Sequence, residues 1–217
     1  MLKKALIFAA GKGTRLKPFT DSHPKALALV NDVPLLERNI KYRQNFGVTE
    51  FVINVHHFGE QIVEFLEKNN HFGAKIDISV EKDELLETGG GLLFAQKYLE
   101  NEENFLIMNA DILTDLNIHE LVKFHEKHLP LATLAVSDRN SSRKLFFNSE
   151  MVLKGWMNKN SGETKMAESN NDFKELAFSG IHCINSSIFD KIKRRGKFSI
   201  MEEYLDLMFE NKILGFQ

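Results

Sequence analysis

The sequence has very little cysteine, no excess of one charge and no long hydrophobic run. Cys183 is the only cysteine among 217 residues, which excludes an intramolecular disulfide and a thiolate metal cluster and favours a reducing compartment. The 28 basic and 30 acidic residues nearly cancel, so no overall field attracts nucleic acid or an anionic membrane. The apolar run after Met1 is too short to span a bilayer and lacks a signal-peptide pattern. These absences predict a soluble cytoplasmic protein with no nucleic-acid or membrane partner.

Apolar segments of strand length alternate with amphipathic segments of helix length along most of the chain. Strand-like runs such as KALIFAA, EFVINV, KIDISV and NFLIMNA are separated by helix-like runs such as PLLERNIKYRQNFG and GEQIVEFLEKN. This alternation is typical of a sheet that is covered by helices on both faces. We therefore predict an α/β fold with a Rossmann-like, doubly wound, mostly parallel central sheet.

A polar stretch interrupts this alternation in the second half of the chain. Between Ser137 and Glu175 the segments DRNSSRK, NKNSGETK and ESNNDF separate short strand-like runs. The stretch predicts a smaller, strand-rich peripheral insertion over 137–175 rather than a second core. No internal repeat or linker marks a boundary, so residues 1–217 are predicted to form a single domain.

The first strand runs into the segment AAGKGTRLKPFTDSHPKAL, residues 9–27. Gly11 and Gly13 let successive N–H groups converge on phosphate oxygens, while Arg15 and Lys25 add positive charge. Neither a Walker loop nor a dinucleotide-binding fingerprint fits, because Leu16 stands where the latter needs its third glycine. A bare G-x-G is also compatible with an ordinary glycine turn that carries solvated basic residues.

The longer string resembles the signature of a known family. FAAGKGTRLKPFTDSHPKAL, LETGGG, NADILTD, FSGIH and FSIMEEYLDL are similar to segments of the sugar-1-phosphate nucleotidylyltransferases, and together they cover nearly the whole chain. The resemblance implies that a nucleoside triphosphate and a sugar 1-phosphate react to give a nucleotide sugar and pyrophosphate. It also implies Mg²⁺ as cofactor and a role in cell-wall or polysaccharide precursor synthesis, and it is compatible with a homo-oligomer.

The resemblance assigns roles to residues at the carboxyl ends of the predicted strands, where ligands collect in such sheets. The catalytic residues would be Arg15 on the leaving pyrophosphate, Lys25 on the reacting phosphate and Asp111 on the metal. The nucleotide-binding residues would be Ala9, Ala10, Gly11, Gly13, Thr14, Glu81, Thr88 and Gly89. The sugar-binding residues would be Asn54, His56, Ser179 and Gly180. For Asp111 the alternative is a turn or helix-capping carboxylate.

The nucleotide is less firmly indicated than the reaction. LETGGG is most similar to the N-acetylmuramate 1-phosphate uridylyltransferase branch, which favours uridylyl transfer to an amino-sugar 1-phosphate. The first alternative is a mannose- or heptose-1-phosphate guanylyltransferase. A cytidylyltransferase acting on an alcohol phosphate and a non-catalytic nucleotide-sugar-binding or regulatory module are the others.

Two family features are missing from the sequence. The second metal carboxylate normally lies in an Asp-x-Gly segment after the helix that SIMEEYLDLMFEN resembles, and no such segment is present. The Glu-Lys-Pro segment that holds the sugar phosphate in several branches is absent as well. We expect either that the C-terminal part is truncated or that the site has one carboxylate.

Three further histidines fall on one predicted helix. His119, His125 and His128 lie in IHELVKFHEKH without a set of carboxylate partners. They predict a solvated helix face rather than a zinc site.

Overall fold

The computed structural model describes residues 2–168 and 172–217. Within these ranges the strands are β1 (Lys4–Phe8), β2 (Leu29–Val30), β3 (Val33–Pro34), β4 (Glu50–Val55), β5 (Lys75–Val80), β6 (Asn104–Asn109), β7 (Ala132–Ser137), β8 (Arg143–Phe147), β9 (Leu153–Asn158), β10 (Glu163–Met166), β11 (Lys174–Asn185) and β12 (Ile213–Phe216). The α-helices are α1 (Leu35–Gln44), α2 (Gly59–Lys68), α3 (Glu87–Phe94), α4 (Gln96–Leu99), α5 (Ile118–His128), α6 (Ile188–Lys191) and α7 (Ile200–Leu207). None of these helices is long and apolar enough to cross a membrane.

The centre of the main sheet is parallel, as the alternating pattern predicts. Strands β6, β1, β4 and β5 lie side by side in that order, with Leu6 of β1 opposite both Val52 and Ile107. All three side chains are buried, because helices cover both faces of the sheet. The parallel order brings the carboxyl ends of β1, β4 and β6 to one edge, where the candidate site lies.

Strands β7 to β12 extend this sheet with mainly antiparallel pairing, whereas β2 and β3 form a separate two-stranded sheet. Beyond β6 the order continues through β11, β8, β9 and β10, while β7 pairs with β11 and β12 pairs in parallel with β7. The sheet is therefore parallel in its central part and mainly antiparallel on one side. Both arrangements belong to the mixed α/β fold that the sequence predicts.

The segment 137–175 supplies β8, β9, β10 and the first residues of β11. Residues 169–171 of this predicted insertion lie outside the described residues. Leu145, Phe147 and Leu153 pack in the same apolar cluster as Leu6 of β1. The described part of the insertion thus shares the core of the main sheet.

Two apolar clusters cover the two faces of the sheet, which accounts for the helix patterns. Leu36 and Ile40 of α1, Ile62 of α2 and Leu121 of α5 pack in one cluster. The other contains residues of α3, α4 and α7, namely Leu92, Leu99, Tyr204 and Leu205. Since each helix buries one apolar face against the strands, the doubly wound prediction is confirmed.

Candidate active site

The glycine loop after β1 has a tightly specified backbone. The N–H of Ala9 donates to the carbonyl of Asn54 over 2.8 Å, which ties the end of β1 to β4. Gly13 has φ 61°, a left-handed conformation that favours glycine, and its carbonyl accepts a hydrogen bond from Oγ1 of Thr20. A Cβ at Gly13 would lie 2.9 Å from Cβ of Lys25. The loop and Lys25 are therefore packed directly against each other.

A cavity of about 400 Å³ opens beside this loop, at the carboxyl ends of β1, β4 and β6. Its lining brings together most of the residues that the sequence predicts for the nucleotide and the chemistry. These are Ala9, Ala10, Gly11, Gly13, Thr14, Arg15, Lys25, Asn54, Thr88 and Asp111. Residues separated by as many as 102 positions in the chain thus converge at one strand edge, as expected for ligand sites of this architecture.

The charged groups of the cavity include a directly paired cation and carboxylate. Nζ of Lys25 donates to Oδ2 of Asp111, and both side chains are about one-third accessible to solvent. Arg15 is exposed in the short 3₁₀ turn Thr14–Leu16. Two cations and the free N–H groups of the loop make this wall of the cavity suited to a polyphosphate.

Two of the eight residues predicted to bind the nucleotide, Glu81 and Gly89, do not line the cavity. The buried carboxylate of Glu81 accepts hydrogen bonds from Nδ2 of Asn54 at 2.9 Å and from the N–H of Leu86 at 2.8 Å. The N–H of Gly89 donates to the carbonyl of Phe198 at 2.8 Å. Thr88 does line the cavity, although its Oγ1 accepts a hydrogen bond from the N–H of Ile200. Glu81 and Gly89 therefore hold neighbouring segments in place and do not line the cavity themselves.

The four residues predicted to bind the sugar are dispersed. Asn54 lines the cavity, whereas Nδ1 of His56 lies 2.8 Å from the carbonyl of Glu81 and the ring borders a different depression beside α2. Ser179 contacts Ser137, and Gly180 with φ 76° lies at a shift of register within β11. The structure brings only Asn54 to the cavity, and the sugar-binding roles of the other three stay predictions.

The cavity also contains residues that the sequence analysis missed. Leu85, Glu87, Asn109 and Ser199 belong to its lining. Asn109 could have been found, because it ends β6 two positions before Asp111. Ser199 had a weaker signal, as the N-cap of α7: its hydroxyl accepts a hydrogen bond from the N–H of Met201.

A second cavity of about 300 Å³ adjoins the first and shares Thr88, Asn109 and Ser199 with it. Its other lining residues come largely from β8, β9 and β11, including Arg143, Trp156 and His182. The pair of cavities offers a wall suited to a polyphosphate next to a compartment with two arginines, Arg139 and Arg143, and an aromatic face. Such a compartment suits a polar molecule that carries negative charge.

The prediction of a solvated histidine face is wrong for one of its three residues. His125 is buried, with Nδ1 2.9 Å from Oγ1 of Thr133 and Nε2 3.0 Å from Oδ1 of Asn104. Burial lowers the pKa of His125 to about 4, so the ring is neutral. Its position one turn below Leu121 on the buried face of α5 explains the difference.

The predicted magnesium ligand, Asp111, is one of two carboxylates in the lining of the cavity, the other being Glu87. Among residues 2–168 and 172–217 there is no group of three or more His, Cys, Asp or Glu side chains placed to hold a metal. Mg²⁺ is commonly bound by one or two carboxylates together with substrate phosphates and water. Asp111, in a wall suited to a polyphosphate, fits that donor set.

Comparison with protein families gives a match over most of the chain. The family described as "Nucleotidyl transferase" matches residues 4–197. Among curated proteins, the chain is 35% identical over 136 residues to mannose-1-phosphate guanyltransferase beta-B of Xenopus laevis, covering 62% of this chain and 38% of that protein. It is 29% identical over 216 residues to mannose-1-phosphate guanyltransferase of Gibberella zeae, covering 98% of this chain and 58% of that protein. The chain thus spans roughly two- to three-fifths of the length of these relatives.

Solved structures with low sequence identity share the fold. HddC from Yersinia pseudotuberculosis complexed with GMP-PN superposes with a TM-score of 0.79 at 21% identity, covering 99% of this chain and 90% of that chain. UDP-glucose pyrophosphorylase complexed with UDP-glucose gives a TM-score of 0.79 at 18% identity, covering 100% and 90%. These likenesses agree with the mixed α/β architecture described above.

Proposed function

Because the chain belongs to the nucleotidyl transferase family, we propose that it transfers a nucleotidyl group from a nucleoside triphosphate to a sugar 1-phosphate, releasing pyrophosphate. The observation that carries the proposal is the convergence of Gly13, Arg15, Lys25 and Asp111 on one cavity at the parallel strand ends. A second cavity adjoins it, so donor and acceptor can lie next to each other. Proximity of two bound substrates is itself a large part of catalysis in such transfers.

In the proposed reaction a phosphate oxygen of the sugar 1-phosphate attacks the α-phosphorus of the triphosphate. The bond between that phosphorus and the oxygen bridging to the β-phosphate breaks, and its electron pair leaves with pyrophosphate. Arg15 and the loop N–H groups bind the departing phosphates, while Lys25 stabilises charge on the α-phosphate. No general base is needed, since the attacking oxygen is already anionic.

Asp111 would hold a Mg²⁺ in this site, and the bound ion would supply neutralisation of phosphate charge. Its carboxylate now pairs with Lys25. Lys25 can contact a phosphate oxygen through its remaining N–H groups when substrate binds, because an ammonium has three donors. The pair keeps both groups at the same wall of the cavity in the absence of substrate.

For the nucleotide we propose GTP and for the acceptor a hexose 1-phosphate such as mannose 1-phosphate. The LETGGG segment favoured UTP and an amino-sugar 1-phosphate, but the curated relatives in two organisms are guanyltransferases named for mannose 1-phosphate. They support the alternative reading better than the uridylyl reading. The chain covers only part of the length of these relatives, so its activity and its substrates have to be measured with this chain.

The test measures pyrophosphate release from GTP, UTP, CTP and dTTP, each with Mg²⁺ and with mannose, glucose, N-acetylglucosamine and N-acetylmuramate 1-phosphates. Mass spectrometry identifies the nucleotide sugar. We expect the highest kcat/KM for GTP with mannose 1-phosphate. Preference for UTP with an amino-sugar 1-phosphate would restore the uridylyl reading. Absence of pyrophosphate release with every pair, despite measurable nucleotide binding, would favour a non-catalytic binding module.

A further inference from the structure

The second cavity is bordered by a buried histidine, His182, whose Nδ1 is hydrogen-bonded to the protein. His182 lies on β11 and is 3% exposed. Its main chain pairs with Ile107 of β6 on one side and with Leu134 of β7 on the other. The side chain is therefore the part of His182 that borders the cavity.

The hydrogen bond at Nδ1 determines which nitrogen of the His182 ring carries the proton. Nδ1 of His182 lies 2.6 Å from the hydroxyl of Tyr204, which is fully buried. Burial raises the pKa of Tyr204 well above its usual range and lowers the pKa of His182 to about 3, so both groups are neutral. If Nδ1 carried the proton, the hydroxyl hydrogen of Tyr204 would lack an acceptor in a buried setting. Tyr204 therefore donates to Nδ1, and the proton of the ring is on Nε2.

The other buried histidine provides a contrast within the same chain. Both nitrogens of His125 lie within 3.0 Å of protein groups, Oγ1 of Thr133 and Oδ1 of Asn104. Within residues 2–168 and 172–217, by contrast, only Nδ1 of His182 has a hydrogen-bond partner. The fully buried side-chain atoms without a partner in these ranges are Nη2 of Arg43, Oγ of Ser79 and Oε2 of Glu203, so Nε2 of His182 is not one of them. Since His182 borders the cavity, its N–H is open to a ligand there.

We propose that His182 is a specificity-determining residue whose Nε2–H donates a hydrogen bond to a hydroxyl oxygen of the sugar 1-phosphate. This role rests on the proposed function, because the second cavity is taken as the acceptor compartment. The cation of Arg143 and the ring of Trp156 line the same cavity, which places a group for negative charge and an apolar face near the donor. A fixed N–H donor selects between sugars by leaving itself unpaired when the oxygen is absent.

The kinetic test compares His182→Asn and His182→Gln with His125→Asn as the matched control. Asn can keep a polar contact with Tyr204 but does not reach the position of Nε2, whereas Gln can place an N–H there. We expect His182→Asn to raise KM for mannose 1-phosphate about tenfold, with KM for GTP unchanged and partial recovery in His182→Gln. His125→Asn should alter stability without this selective rise. Equal KM values for mannose 1-phosphate in His182→Asn and His125→Asn would overturn the proposal.

Monodeoxy analogues of mannose 1-phosphate identify the oxygen. In the wild-type protein one analogue should lose about tenfold in kcat/KM, and that loss should vanish in His182→Asn. If every analogue lost the same factor in kcat/KM in His182→Asn as in the wild-type protein, a direct hydrogen bond would be contradicted.

Nitrogen NMR of the histidine rings tests the inference without turnover. The wild-type protein should show His182 protonated on Nε2, and adding mannose 1-phosphate should shift that resonance but neither nitrogen of His125. Protonation on Nδ1, or an Nε2 resonance unmoved at saturating sugar phosphate, would refute the role even if the enzyme is active. If the protein releases no pyrophosphate with any substrate pair, the proposed function fails, while the NMR result still decides whether His182 binds the sugar.

Discussion

Replacing Gly13 by alanine should destabilise the protein and displace Lys25 at the same time. Gly13 has φ 61°, where a side chain costs about 1–2 kcal/mol. The new Cβ would also lie 2.8 Å from Cγ2 of Thr20 and 2.9 Å from Cβ of Lys25, and overpacking of this kind costs about 1–3 kcal/mol. The lower chain entropy of alanine in the unfolded state returns about 0.4–1 kcal/mol. The net loss in the free energy of unfolding is therefore about 1–5 kcal/mol, with a mid-range value of about 3 kcal/mol.

Gly11 provides the matched control for that measurement. No heavy atom lies within 4 Å of a Cβ built there, and its φ is outside the positive range. At the mid-range value of about 3 kcal/mol, Gly13→Ala should lower Tm by about 6–12 °C in a chain of this size, whereas Gly11→Ala should leave it nearly unchanged. Calorimetry at one pH and protein concentration measures both. Equal Tm values for the two variants would refute the claim that backbone conformation and the contact with Lys25 require glycine at Gly13.

Three further predictions concern charge. Arg15→Ala should lower kcat about a hundredfold with a smaller change in KM for GTP, because its charge matters most as pyrophosphate leaves; a change in KM alone would contradict this role. Asp111→Asn should abolish Mg²⁺-dependent turnover with Tm within a few degrees of wild type, and unfolding of the variant would indicate a structural carboxylate instead. Burial lowers the pKa of His125 to about 4, so on acidification the unfolded chain takes up a proton near pH 6.5 while the folded chain does not. The urea midpoint should therefore fall between pH 7 and pH 4.5, and it should fall less steeply in His125→Asn. A midpoint that stays constant over this range would show that the ring titrates normally.

The sequence predicted best those features that depend on neighbours along the chain. Strand β4 over Glu50–Val55 and helix α5 over Ile118–His128 match their apolar patterns residue for residue. The glycine loop and Asp111 were found because each directly follows a buried strand, and parallel strands deliver such loops to a common edge. Local pattern together with one rule of sheet architecture was therefore sufficient for this part of the cavity.

Residues brought in by packing between distant segments could not be predicted in the same way. Ser199 reaches the cavity because the N–H groups of Gly89 and Gly90 both donate to the carbonyl of Phe198, which joins α3 to the segment before α7. Arg143 and Trp156 arrive on antiparallel strands that extend the sheet. Their pairing depends on register with β11, and the polar composition of 137–175 carries little information about register.

Glu81 shows why residue type and position at a strand end do not by themselves define a ligand contact. Its place directly after β5 made it a natural candidate for binding the nucleotide. A buried carboxylate must accept hydrogen bonds, however, and here Asn54 and the N–H of Leu86 provide them before any ligand arrives. Asn54 and Leu85 line the cavity, so the carboxylate shapes the cavity by fixing the amide of Asn54 and the turn at Leu86. A polar group at such an edge can bind substrate only if some of its hydrogen-bond donors or acceptors are still free after folding. How many are free depends on the folded backbone and is not visible in the sequence.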